Sequence, residues 1–309
     1  MFGKWAISVS AAFSLISCQP SANLASSYGP AAFDPSFASY DPATLSLACE
    51  GRDGWSDKAP PVRVFANVYM VGTCGITALL IVTPEGHFLI DGATDEAAEG
   101  IAANIRELGF DPTDIRTLLI THEHLDHAGG IAKLKQITGA KFVVREAAKL
   151  AMETGLPTGD DPQHGLHPAF PGVRADGTIA NGDVLRIGKQ AITIIATPGH
   201  SPGGTSYTWK SCDGGSCHQM VYADSLNAIS ADAYRFSDHP DYVATLRSSM
   251  ARIEAIKDCD IMISPHPFQS EFFERLAGEK PLVDADRCKQ YVSAARARLD
   301  TRLAKEAAE

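Results

Sequence analysis

Between Thr121 and Gly130 the chain reads Thr-His-Glu-His-Leu-Asp-His-Ala-Gly-Gly, with three imidazoles and the Asp126 carboxylate, besides Glu123, packed between His122 and His127. The run Thr117-Leu118-Leu119-Ile120 just before it predicts a buried strand that feeds straight into the cluster. In extended backbone, residues two apart point to the same side, so His122 and His124 can share one ion. Asp126 and His127 follow once the chain has begun to turn, and they can face a second ion close by. Histidine nitrogen combined with carboxylate oxygen suits zinc at a catalytic site. The bland alternative is a polar turn rich in histidine, but a turn needs none of these side chains for its own hydrogen bonds.

Two ions need more ligands than this stretch supplies. Thr197-Pro198-Gly199-His200-Ser201-Pro202-Gly203 puts a histidine in a tight turn after a strand, and Ser264-Pro265-His266-Pro267-Phe268 does the same later. The HxHxDH spacing and its context resemble the metallo-β-lactamase superfamily, from about Val62 to the C-terminal helix. The resemblance implies an α/β fold, a four-layer αβ/βα sandwich of two mixed β-sheets flanked by helices, with a dinuclear zinc site at one rim. It implies two Zn2+ per chain, the first held by His122, His124 and His200 and the second by Asp126, His127 and His266.

The loop that would hold a ligand cysteine in other subclasses reads Tyr222-Ala223-Asp224-Ser225-Leu226-Asn227. Serine there, with His127 completing the second site, looks like subclass B3. That resemblance implies hydrolysis of the β-lactam amide bond of penicillins, cephalosporins and carbapenems by a metal-bridging hydroxide, which confers antibiotic resistance. Asp126 would orient the hydroxide, while Ser225 and Asn227 would hold the substrate carboxylate. Asn227 departs from the serine or threonine of many members. Asp224 invites a second reading, because glyoxalase II-like thioesterases and lactonases bridge their metals with an aspartate in a similar sequence. In the B3 pattern it is no ligand. Asp91, at the end of a strand, is a candidate acceptor for a ligand histidine N–H.

Charge and cysteines narrow the setting. With 27 Lys and Arg against 37 Asp and Glu the formal charge is −10, and no basic run exists, which argues against a nucleic-acid partner. Residues 1–17 read as an export signal, too short for a membrane span. Leu15-Ile16-Ser17-Cys18 resembles a lipobox, implying acylation of Cys18, membrane anchoring and a periplasmic protein, as an outer-membrane lipoprotein; the alternative is ordinary signal-peptide cleavage further on, within the Ala/Ser-rich segment, which would remove Cys18. Residues 18–47 read as a tether and N-terminal arm, and 48–309 as the metallo-β-lactamase domain, expected to be a monomer. Six cysteines besides Cys18 allow 15 pairings. Resemblance and proximity suggest Cys49–Cys74, Cys212–Cys217 and Cys259–Cys288, in keeping with an oxidising compartment.

Along the domain, alternation over Val62–Met70 predicts a strand, and Ala78–Val82 and Phe88–Gly92 continue an antiparallel meander. Helical spacing covers Ala97–Leu108, about 130–138, Tyr242–Ile256 and Asp284–Lys305. Residues 154–182 read as one long loop of the kind that is often functional. His164 and His167 lie in it and read as surface polar residues. A second group of strands is expected at Val184–Ile187, Ala191–Thr197, Thr205–Trp209, Gln219–Ala223 and Asp260–Ser264.

Overall fold

The computed structural model describes residues 1–3 and 41–308. The expected export segment and Cys18 fall outside the described residues. Helix α1 (Pro42–Ala48) opens the packed body, with the Asp41 carboxylate accepting from Ala43 N–H at 3.0 Å and proline in the first turn. Leu45 on its inner side is fully buried, so the packed body includes this helix of the expected arm.

Strands β1 (Val62–Phe65), β2 (Val68–Met70), β3 (Leu79–Ile81) and β4 (His87–Ile90) pair antiparallel in sequence order. After α2 (Ala98–Glu107) comes β5 (Ile115–Leu119), and after α3 (Leu125–Ala128) and α4 (Ile131–Thr138) comes β6 (Lys141–Arg145). Helix α5 (Lys149–Thr154) leads to β7 (Gly177–Ile179), and β4 to β7 pair parallel, giving a seven-stranded mixed sheet. The second sheet is an antiparallel meander of β8 (Val184–Ile187), β9 (Gln190–Ala196), β10 (Thr205–Asp213) and β11 (Ser216–Tyr222). Helix α6 (Pro240–Glu254) returns the chain to β12 (Ile261–Ile263), parallel to β11, and α7 (Phe272–Leu276) and α8 (Arg287–Ala308) finish the body.

Period-two alternation decides which face each strand residue covers. Met70, Leu79, Ile81 and Ile90 meet Ile194, Trp209, Met220 and Ile263 between the two sheets. Leu80 and Leu89 turn outward under Ile101 and Ile105 of α2 and Ile131 and Leu134 of α4. Val221 and Met262 turn outward under Leu246 and Met250 of α6 and Val292 and Leu299 of α8. The four layers are therefore helices, sheet, sheet, helices, as the resemblance implies.

Two expectations change. Residues 62–70 are not one strand: Ala66, at φ 50°, turns the chain into a hairpin. Asn67 fastens that turn, its Nδ2 donating to the Val82 carbonyl at 2.8 Å. The stretch 154–182 is not wholly loop, because β7 pairs with the edge of β6 there.

The three disulfides are Cys49–Cys74, Cys212–Cys217 and Cys259–Cys288. The last closes 29 residues and ties the entry of β12 to α8, whereas Cys212–Cys217 closes only five at a hairpin tip. By loop entropy the first of these should stabilise by about 3–4 kcal/mol and the second by about 2. Replacing both members of Cys259–Cys288 by serine should lower the melting temperature by roughly 5–10 °C, more than the same change at Cys212–Cys217. Thermal unfolding under non-reducing conditions checks this, and the opposite order would refute it.

Candidate metal centre

Strand direction brings the candidate ligands to one rim. Strands β4 and β5 run parallel, so Asp91 and the 121–130 stretch leave the first sheet at the same edge. In the second sheet β9, β11 and β12 share a direction, so the loops holding His200, Asp224 and His266 leave together. Hydrogen bonds across the sandwich hold the two rims in register. Tyr207 Oη donates to the Ile120 carbonyl, Tyr222 Oη to Asp91 Oδ2 at 2.7 Å, and Thr205 N–H to the Thr121 carbonyl at 2.7 Å. Gly130 is needed where α4 begins, because a Cβ there would sit 2.2 Å from the Gly92 carbonyl oxygen.

His122, His124 and His200 form the first group, with one ligand atom from each lying within 4.8 Å of the others. Each ring uses its other nitrogen elsewhere, and this settles which nitrogen is free. His200 Nδ1 lies 2.9 Å from the Asn227 carbonyl, which can only accept, so Nδ1 carries the proton and Nε2 the lone pair. His122 Nδ1 is 2.9 Å from Asp224 Oδ1, and His124 Nε2 is 2.9 Å from Asp161 Oδ2. Lone pairs are thereby left on His122 Nε2 and His124 Nδ1. His122 Nε2 is sealed from solvent without a protein partner among the described residues. Burial, with the neighbouring imidazoles, holds His122 well below the ordinary histidine range, and burial takes His200 to about 3. Both are neutral, as a metal ligand must be; against the effect of burial, Asp161 raises His124 and Asp126 raises His127 to about 10, so binding a metal there displaces protons.

Asp126, His127 and His266 form the second group. Asp126 Oδ2 is 3.1 Å from His127 Nε2 and 3.3 Å from His266 Nε2, and the two nitrogens are 3.3 Å apart. His266 Nδ1 faces the Gly75 carbonyl at 3.3 Å, so its Nε2 also carries a lone pair. Tetrahedral zinc with bonds near 2.0–2.1 Å separates its ligand atoms by about 3.3 Å. The triangle matches that spacing, and a divalent cation would relieve the crowding of electron pairs. His122, Asp126 and His127 also converge within 4.8 Å, so the two groups share a wall. The residues present fit two zinc ions side by side.

Asp224 lies behind His122, on the ring edge away from the free nitrogen, and it is fully buried. It orients that ring from outside the ligand cluster. Asp91 is gripped by Thr121 N–H at 2.6 Å and by Tyr222 Oη, and its Oδ2 faces His127 Nδ1 at 3.6 Å. That spacing permits charge attraction but exceeds a hydrogen bond. Ser225 Oγ is buried without a partner among the described residues. The Asn227 side chain is turned toward Arg298, whose Nε donates to its Oδ1 at 2.7 Å. His164 and His167 stay out of the cluster, the first on the Pro157 carbonyl and the second edge-on to Trp55.

Sequence reasoning passed over Asp161, which holds His124, and Gln163, whose Nε2 lies 3.4 Å from His200 Nε2. Both sit in the long loop, where their only sequence signal is a polar pair near the start of an unusually long connection. The Asn227 carbonyl that orients His200 carries no side-chain signal at all.

Residues 71–214 match the family model of the metallo-β-lactamase superfamily. Among curated proteins, a hydroxyacylglutathione hydrolase of Rhodopseudomonas palustris is 36% identical over 114 residues, 37% of this chain and 35% of that protein. The chain spans well under half the length of the first such relatives it matches, at 42%, 39% and 35%. Solved structures match far more of the chain. The metallo-β-lactamase MIM-1 of Novosphingobium pentaromativorans is 47% identical with a TM-score of 0.84, covering 86% of this chain and 98% of that one. MEM-A1, a subclass B3 metallo-β-lactamase from a soil metagenome, is 40% identical with a TM-score of 0.79, covering 82% and 99%. With that likeness running along nearly the whole of each solved chain, this protein belongs to the metallo-β-lactamase superfamily and, within it, to subclass B3.

Proposed function

We infer that this chain hydrolyses the amide bond of β-lactam antibiotics, with two zinc ions held by His122, His124 and His200 and by Asp126, His127 and His266. The observation that carries the reading is the likeness along almost the full length of solved metallo-β-lactamases. When bound, zinc supplies Lewis acidity, which polarises a carbonyl and brings water to a nucleophilic state near neutral pH.

The chain's own groups then divide the work. Asp126 gives Oδ2 to the cluster, 3.1 Å from His127 Nε2 and 3.3 Å from His266 Nε2. With Oδ2 so engaged, Oδ1 is the oxygen that would accept a proton from the attacking water. Asp224, Asp161 and the Asn227 carbonyl keep three imidazoles aimed inward, so little reorganisation is needed when substrate arrives. The orphaned Ser225 hydroxyl supports a role in holding the substrate carboxylate, since an unmet buried donor costs about 1–3 kcal/mol until a ligand satisfies it. Asn227 would add its Nδ2, left free by the bond from Arg298 to Oδ1. Among the described residues no base touches Ser225 Oγ, so a serine-acylation route has no activated nucleophile there.

Export to the periplasm, acylation at Cys18 and a role in antibiotic resistance belong to the same reading. The three disulfides support an oxidising compartment. The second reading, a thioesterase or lactonase, draws on the hydroxyacylglutathione hydrolases among the relatives. Their match covers only 40% and 37% of this chain. Asp224 sits behind His122 rather than between the two groups, which favours the lactam reading.

Three outcomes are expected. A strong chelator should abolish hydrolysis of a chromogenic cephalosporin and added zinc should restore it, whereas an inhibitor that acylates serine enzymes should leave the rate unchanged. Activity that survives chelation would exclude a metal mechanism. Offered a penicillin and S-lactoylglutathione, the protein should open the first at least a hundredfold faster, and the reverse preference would move it to the thioesterases. Ser225→Ala should raise KM about tenfold, the worth of roughly 1.4 kcal/mol, while kcat moves less than threefold. An unchanged KM would remove Ser225 from carboxylate binding.

A further inference from the structure

Glu123 lies between two ligand histidines, yet it takes no part in either ligand group. Its side chain is fully buried, an expensive place for a carboxyl unless its oxygens are hydrogen-bonded. Both oxygens are used on one partner, the loop that carries His200. Oε2 accepts from Ser201 Oγ at 2.8 Å, and Oε1 accepts from Gly203 N–H at 2.7 Å. The fit is tight, since a Cβ on Gly203 would lie 2.4 Å from Glu123 Oε2. Arg145, at the end of β6, works on the same loop through its carbonyls, with Nη1 donating to Pro202 at 3.2 Å and Gly204 at 2.9 Å. The loop's donors thus go to the carboxyl and its acceptors to the guanidinium, so the segment following His200 is held on both counts.

We propose that Glu123 is a positioning residue that fixes the His200 loop against the strand end bearing His122 and His124, so that the first metal site is assembled before metal arrives. His200 comes from the second sheet and its two co-ligands from the first. The backbone link between the sheets here is Thr205 N–H to the Thr121 carbonyl, beyond the far end of the loop. Without Glu123 the turn at 200–203 keeps that anchor but loses two bonds next to the ligand itself. The Asp126, His127 and His266 group takes no ligand from this loop, so loss of Glu123 should change its metal affinity far less. The proposal rests on the ligand assignment above and not on the identity of the substrate.

The test is zinc binding to the full, metal-free protein, measured by competition with a chromophoric chelator and accompanied by the thermal stability of the same metal-free preparations. Glu123→Ala should weaken one zinc-binding step by 10–100-fold, the usual consequence of losing support behind a ligand, and leave the other within about threefold. Glu123→Gln should recover most of the loss, because its carbonyl can accept from Gly203 and its amide can donate to Ser201. Ser201→Ala, which removes one of the two bonds and is the gentler change to the fold, should weaken the same step by about 3–10-fold. Two unchanged zinc affinities in Glu123→Ala and Ser201→Ala would overturn the proposal. So would an equal loss at both steps that merely follows a drop in metal-free stability, or a Glu123→Gln variant as impaired as Glu123→Ala. Because the readout is metal affinity, loss of the β-lactam reading would leave the result standing.

Discussion

Six side chains aim lone pairs at two neighbouring points, and much of the rim is arranged so that they must. Asp126 Oδ2, His127 Nε2 and His266 Nε2 are drawn within 3.1–3.3 Å of one another, a cluster of ligand atoms that either protons on the imidazoles or a bound cation makes favourable. The cost of holding them there is met elsewhere in the structure. Asp224, Asp161, the Asn227 carbonyl and the Gly75 carbonyl each take the outward nitrogen of one imidazole. Four of the five ligand rings are thereby committed in tautomer and direction before anything binds.

The sandwich explains why such an arrangement is possible at all. A strand end points its following loop in a fixed direction, and five strands end at the same rim: β4, β5, β9, β11 and β12. The interior between the sheets is apolar and fully packed, so the rim cannot shift without disturbing Met70, Trp209 and Tyr222 beneath it. Tyr207 and Tyr222 turn part of that core into scaffolding, with their rings in the interior and their hydroxyls at Ile120 and Asp91. Packing and chemistry are joined at these two residues.

Much of this could be read from the sequence, for physical reasons that differ by residue. His122, His124, Asp126 and His127 announce themselves because four donors in six positions have no structural purpose in a turn. His200 and His266 were legible because each follows a strand and a proline-bounded turn, and the structure brings all six residues together. The four layers were legible only through the family resemblance that the HxHxDH motif carries. What stayed hidden depends on contacts that leave no trace in the chain. Asp161 is one polar residue in a long connection until folding sets it 2.9 Å from His124. The break of 62–70 into a hairpin turns on one positive φ at Ala66, a residue type that does not signal one. Glu123 reads as a spacer between histidines, and only the three-dimensional arrangement reveals its grip on Ser201 and Gly203.

Locating the metal itself tests the account most directly. Crystals of the zinc-loaded protein, measured on both sides of the zinc absorption edge, should give two anomalous peaks. One should lie within bonding distance, about 2.0–2.2 Å, of His122 Nε2, His124 Nδ1 and His200 Nε2, and the other equally close to Asp126, His127 Nε2 and His266 Nε2. A single peak, or none beside Asp126, would contradict the paired site on which the proposed chemistry depends.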